Sequence, residues 1–192
     1  MLLLDILQFL LSVFFDLLGM LCLLRLYMQL AKVSFVNPIG QGIIRLTNWL
    51  ILPLQRILPR VKKFDLASLM AAYLSSFVFF LLLWTLFYLF GYKISIYISG
   101  PLSGILYLFY FALLNVCKQI IYMLSAIIVL NVVLSWLQPR SPAYWLTFHL
   151  SEPLTAPFRK ILPKSSALDF SPFVALLLLQ VLLIVVRHFM AF

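Results

Sequence analysis

Two stripes of polar side chains interrupt otherwise apolar segments, and they are where this sequence could do chemistry. The first is Asp5, Gln8, Ser12, Asp16 and Gly19. At 100° per residue these share an arc of about 80° on one helix face. The second is Asn115, Lys118, Gln119, Tyr122 and Ser125. A single Asp or Lys in hydrocarbon costs roughly 2.5–3.5 kcal/mol, so each is expected to face protein and find a partner. Three roles stand open for Asp16 and Lys118: a static pair that holds parts of a bundle in register, a relay for ions or protons, or unpaired groups reaching water. Arg25 points away from the first stripe and is expected to snorkel to the membrane surface.

Other reactive groups form no constellation. Cys22 and Cys117 both sit in apolar segments without a CxxC pattern, which suits small buried residues rather than a disulfide or zinc site. His149 and His188 are far apart and have no carboxylate set beside them. His149 is expected at the membrane interface, and Glu152, following Ser151, to favour a helix start. No Gly-rich phosphate loop, HExxH or GxSxG is present. No catalytic, cofactor or metal residue is assigned, and a non-enzyme is expected.

The elements that position these residues are membrane spans. Of 192 residues, 65% are hydrophobic and 10% charged, against about 45–50% and about 25% in soluble domains. Crossing about 30 Å of hydrocarbon takes about 20 apolar residues in a helix. Four segments qualify: about 3–30, about 66–90, a stretch within 101–137, and about 172–192. The third outreaches the bilayer at about 1.5 Å per residue; it projects, bends, or begins as an interfacial helix. The first charge is Asp5 and the first apolar run exceeds signal length, so it reads as a retained helix.

Lys and Arg concentrate in two of the three connections. The first carries Lys32, Arg45, Arg56, Arg60, Lys62 and Lys63, with Arg25 at its flank; the third carries Arg140, Arg159, Lys160 and Lys164; the second has only Lys93. Positive loops stay in the cytoplasm, so both termini are expected outside it. The net charge of +9 is read as orientation and anionic-lipid contact rather than nucleic-acid binding.

A shift of 104 positions superimposes the two halves at their rarest residues. Asn37-Pro38 falls on Ser141-Pro142, Thr47 on Ser151, Pro53 on Pro157, Ile57-Leu58-Pro59 on Ile161-Leu162-Pro163, and Asp65 on Asp169. A duplicated hairpin follows, residues 1–92 and 101–192, with the copies entering and leaving the membrane alike. Asp16 then corresponds in depth to position 120, two residues from Lys118, which sets the two charges within about 3 Å of one height. The inserts 38–62 and 143–162 are too polar to span and too apolar to float, so they read as amphipathic interfacial helices. Pro38 and Pro142 follow N-cap residues; Pro59 and Pro163 stop the helices. Asp65 and Asp169 precede spans two and four, where an acid caps the helix and suits its dipole.

These residues resemble the YggT family of small membrane proteins in its duplicated form. The first copy matches at Arg25, Asn37, Pro38, Gln41, Thr47, Pro53, Arg56, Pro59 and Asp65; the second at Ser151, Pro153, Pro157, Arg159, Lys160, Pro163, Asp169, Ser171 and Pro172. The resemblance implies a non-enzymatic, multi-pass protein of the bacterial inner membrane without a cofactor. It associates such proteins with osmotic stress, ion homeostasis and membrane assembly. Its basic inserts would meet anionic lipid, a membrane-protein partner or further copies of the chain. The alternative is an oligomeric ion channel or transporter subunit.

Overall fold

A computed structural model describes residues 2–58, 65–90, 101–161 and 169–190. They form six helices and, among the described residues, no strand: α1 (Leu2–Leu30), α2 (Pro38–Ile57), α3 (Leu66–Leu89), α4 (Pro101–Leu137), α5 (Pro142–Ile161) and α6 (Ser171–Met190). Four are long and apolar enough to cross a membrane: Leu2–Leu30, Leu66–Leu89, Gly104–Leu137 and Ser171–Met190. The third span is one unbroken helix of 37 residues. Pro59, Arg60, Lys62, Lys63, Lys93, Pro163 and Lys164 lie outside the described residues.

Spans pack as α1 on α3 and α4 on α6, and α4 also packs on α1 and α3. Between helices in lipid the driving force is close packing rather than water exclusion, so small residues gather at the contacts. α3 buries Ala67, Ser68, Ala71, Ala72, Ser75 and Ser76. α1 brings Leu18, Gly19, Cys22, Leu23 and Leu26 into the interior. α6 buries Ser171, Ala175, Leu179 and Leu183 at four-residue steps, and the last three pack with Ile121 and Ile128 of α4.

α2 and α5 begin and end 104 residues apart. Both run through prolines, Pro53 in α2 and Pro153 and Pro157 in α5, each of which removes one backbone donor. Leu58, the residue before Pro59, is extended, the conformation a following proline favours. Ser141 caps α5 by accepting Tyr144 N–H at 3.1 Å, whereas Asn37 makes no side-chain cap on α2. Glu152 is not at a helix start; it lies in the middle of α5.

α1 ends in a Schellman motif. Val33 N–H reaches Met28 O and Lys32 N–H reaches Gln29 O, with Lys32 left-handed at φ 55. Glycine usually fills that place; an L side chain there costs roughly 1–2 kcal/mol. Lys32 is exposed.

α2 lays Gly40, Ile43, Thr47 and Ile51 against the bundle and leaves Leu46, Trp49 and Leu52 exposed. Ile51→Ala is expected to cost about 2–5 kcal/mol, whereas Leu52→Ala should stay within about 0.5 kcal/mol. Equilibrium unfolding in detergent measures both, and equal costs would refute the assignment of faces.

Candidate functional site

The polar stripes of α1 and α4 meet inside the bundle. Lys118 Nζ lies 3.4 Å from Asp16 Oδ2. Asn115 and Gln119 donate their amides to Asp16 Oδ1 at 3.3 and 2.9 Å. Asn115 also donates to Ser76 Oγ of α3 at 3.1 Å, so one acid ties three helices. Asn115 and Gln119 are 0% exposed, and their amide oxygens have no donor. Gly19 makes the fit possible, because a Cβ there would lie 2.3 Å from Gln119 Oε1. Asp5 lies apart from this cluster on an exposed stretch of α1. Further along α4, Arg187 of α6 donates to the Tyr122 hydroxyl, and its guanidinium carbon stands 5.9 Å from that ring's centroid.

A second polar centre lies where α2 folds back over the end of α1. Arg25 does not snorkel. It is buried, and its Nη1 donates to Thr47 Oγ1 at 3.2 Å and Asn48 Oδ1 at 2.8 Å. Thr47 in turn donates to Ile43 O. A helix wheel of α1 alone points Arg25 away from the stripe, and that side is where α2 supplies oxygens. Asp65 is buried too, and its carboxylate caps no backbone N–H. Its Oδ2 instead accepts from Gln29, Gln55 and Ser68 at 3.2, 3.0 and 2.9 Å. One carboxylate thus joins α1, α2 and α3 through neutral donors.

The second copy builds the corresponding joint with charge. Arg159, 104 positions from Gln55, donates through Nε to Asp169 Oδ2 at 3.0 Å and through Nη1 to both Glu152 oxygens. Asp169 also accepts the Ser171 backbone N–H and hydroxyl, so it does cap α6, with Pro172 in the first turn. Burial pushes the Asp169 carboxyl up, but the Ser171 bonds and the Arg159 charge outweigh it and leave the carboxyl below its ordinary value of 3.8.

Two further motif residues, Gln41 and Ser151, serve local structure. Gln41 Nε2 donates to Val36 O, tying down the turn before α2. Ser151 donates to Phe148 O. Arg56, Lys160 and His149 are exposed. Among the described residues no three of His, Cys, Asp and Glu gather as a metal site.

Apolar helices of spanning length, two further helices at one end, and a charge pair locked within the bundle define a multi-pass, all-α membrane protein. The chain belongs to the CCB3/YggT family, whose model matches residues 4–92 and 110–190. The YggT protein of Escherichia coli (strain K12) is 34% identical over 177 residues, covering 92% of this chain and 86% of that one. A Vibrio alginolyticus protein from the proC 3' region is 34% identical over 174 residues, 90% of this chain and 89% of its own length. A Pseudomonas aeruginosa relative is 34% identical over 179 residues, 83% and 77% of the two chains. No solved structure matches the fold.

Removing one partner from a buried ion pair costs about 3–5 kcal/mol, whereas replacing both with apolar groups is often near neutral. Lys118→Met is therefore expected to destabilise strongly, and Asp16→Leu added to it to recover most of the loss. Unfolding of the single and double variants measures the coupling, and additive effects would refute the pairing. The Asp169 joint has a pH signature. Its folded carboxyl ionises below the unfolded range, so its bonds stabilise the protein above that range and are lost as pH falls through the folded value. The unfolding temperature should fall as pH drops below about 5, with a smaller fall in Asp169→Asn; an unchanged fall refutes the contribution.

Proposed function

We propose that this chain is a non-enzymatic factor of the bacterial inner membrane that engages anionic lipid, and through it other membrane components, with the end of the bundle that carries α2 and α5. The observation that carries this reading is the division of α2 into three sectors. Gly40, Ile43, Thr47 and Ile51 are buried; Leu46 and Trp49 form an exposed apolar flank; Gln41, Arg45 and Arg56 form an exposed polar one. At 100° per residue the three sets occupy separate arcs, and exposed Leu52 is the one large apolar side chain that falls among the polar set. A helix of that kind suits the boundary between hydrocarbon and water. Trp145 on α5 is exposed at the same end, and Trp favours that boundary. The positive-inside rule sets this end in the cytoplasm and both termini outside it.

The cations available to lipid differ between the copies. Arg45, Arg56 and Lys160 are exposed and pair with no described acid. Arg159 is held by Glu152 and Asp169, so it serves the fold before it serves a partner. Each free cation near an anionic surface is worth about 1 kcal/mol. Spin-labelled lipid in reconstituted bilayers reads the preference for phosphatidylglycerol over phosphatidylcholine. Replacing Arg45, Arg56 and Lys160 together with Gln should lower it measurably, with the other cations of this end still in place, and an unchanged preference overturns the reading.

A second reading, an oligomeric ion channel or transporter subunit, draws on Asp16 and Lys118 in the interior of a span, beside two amide oxygens without donors. Ion flux into liposomes that Asp16→Asn abolishes would favour it. A protein silent in that assay that crosslinks to a defined partner in native membranes favours the first.

A further inference from the structure

α1, α3, α4 and α5 do not close fully on one another. Between them lies a cleft of about 180 Å³, open on one side, with walls that include Leu26, Leu30, Leu69, Ile120, Met123 and Leu154. Both copies of the hairpin contribute. The wall carries one side-chain hydroxyl, that of Tyr27, which already donates to Leu150 O at 2.7 Å. A buried water needs two to four polar partners, and dry apolar cavities of about 150 Å³ take up hydrocarbon ligands instead. The chemistry of this cleft therefore selects hydrocarbon.

A cation follows the cleft closely along the chain. Leu30, on its wall, is the last residue of α1. Two residues on stands Lys32, exposed, paired with no described acid, and held in a left-handed conformation that glycine would adopt more easily. A cation kept at a strained position two residues from the wall of a hydrocarbon slot points to an anion joined to an alkyl chain.

We infer that the cleft holds one acyl chain of an anionic phospholipid, with the lipid phosphate at Lys32. This rests on the reading that the α2–α5 end meets the anionic leaflet, but it locates a single retained lipid between the two halves rather than a diffuse layer on α2. Both requirements of a lipid are met together: apolar walls for the chain, and a free cation at the polar end.

Native mass spectrometry of the detergent-purified chain, with phosphatidylglycerol or phosphatidylcholine added, counts retained lipids. One phosphatidylglycerol should survive activation that strips the rest. Leu154→Trp, which fills the cleft, and Leu30→Trp, which blocks its end, should each lose that lipid, whereas Arg45→Gln with Arg56→Gln should keep it. Lys32→Gly should retain a chain, lower the preference for phosphatidylglycerol about fivefold, as about 1 kcal/mol per cation converts, and raise the unfolding temperature by relieving the left-handed residue. Undiminished retention in both tryptophan variants overturns the cleft. If the α2 variants lose lipid instead, the wider reading survives without it. An unchanged preference in Lys32→Gly overturns the headgroup assignment.

Discussion

A carboxylate in a dry helical bundle must be neutralised where it stands, and Asp16 imposes that demand on everything around it. Lys118 supplies the charge; Asn115 and Gln119 supply two neutral donors. Gln119 reaches across only because Gly19 offers no side chain. Asn115 passes the constraint on to Ser76, so the height of α4 against α1 and α3 is set by polar contacts. Apolar packing alone would permit sliding, since one ridge of Leu and Phe fits a groove much as the next does. The pair thus ties α1 to α4, and through Asn115 to α3.

The joints at the other end show how two copies of one plan come to differ in their physics. Gln55 and Arg159 occupy corresponding positions, and each holds the aspartate ten residues on. In the first copy the carboxylate is buried among neutral donors, and the arginine comes from α1 to reach Thr47 and Asn48. In the second, Val129 stands where Arg25 would be, Glu152 replaces Asn48, and a single arginine bridges two acids at the surface. The arginine has changed helix while the aspartate stayed.

Much of this architecture is legible in the sequence because it rests on local rules. Pro38 and Pro142 start helices, Leu58 is extended before Pro59, and the 104-residue offset aligns α2 with α5. The shared height of Asp16 and Lys118 follows from that offset, since a helix converts sequence distance to depth. What periodicity does not reveal is where an interfacial helix folds back. A wheel of α1 contains no α2 and so sends Arg25 to the membrane surface. Asp65 reads as a cap because no local pattern marks its three donors, which come from residues 3, 10 and 36 positions away. Glu152 reads as a helix start because it follows Ser151, yet α5 runs through both. The Gly19–Gln119 fit needed the crossing of two helices to become visible.

The unequal lengths of α4 and α6 act on the surrounding lipid. α6 has 20 residues, about 30 Å of helix, which matches the hydrocarbon core; α4 has 37, about 55 Å. Arg187, near the end of α6, meets Tyr122, and α4 continues from there to Pro101, about 30 Å further. That stretch exposes Ile105, Leu106, Tyr107, Phe109 and Tyr110. A helix so much longer than its neighbour projects from the bilayer, tilts, or thickens the bilayer beside it, mismatch costing a fraction of a kcal/mol per Å. One flank of this small protein therefore matches an ordinary bilayer in length and the other exceeds it, so lipid meets two different heights of apolar surface around one bundle.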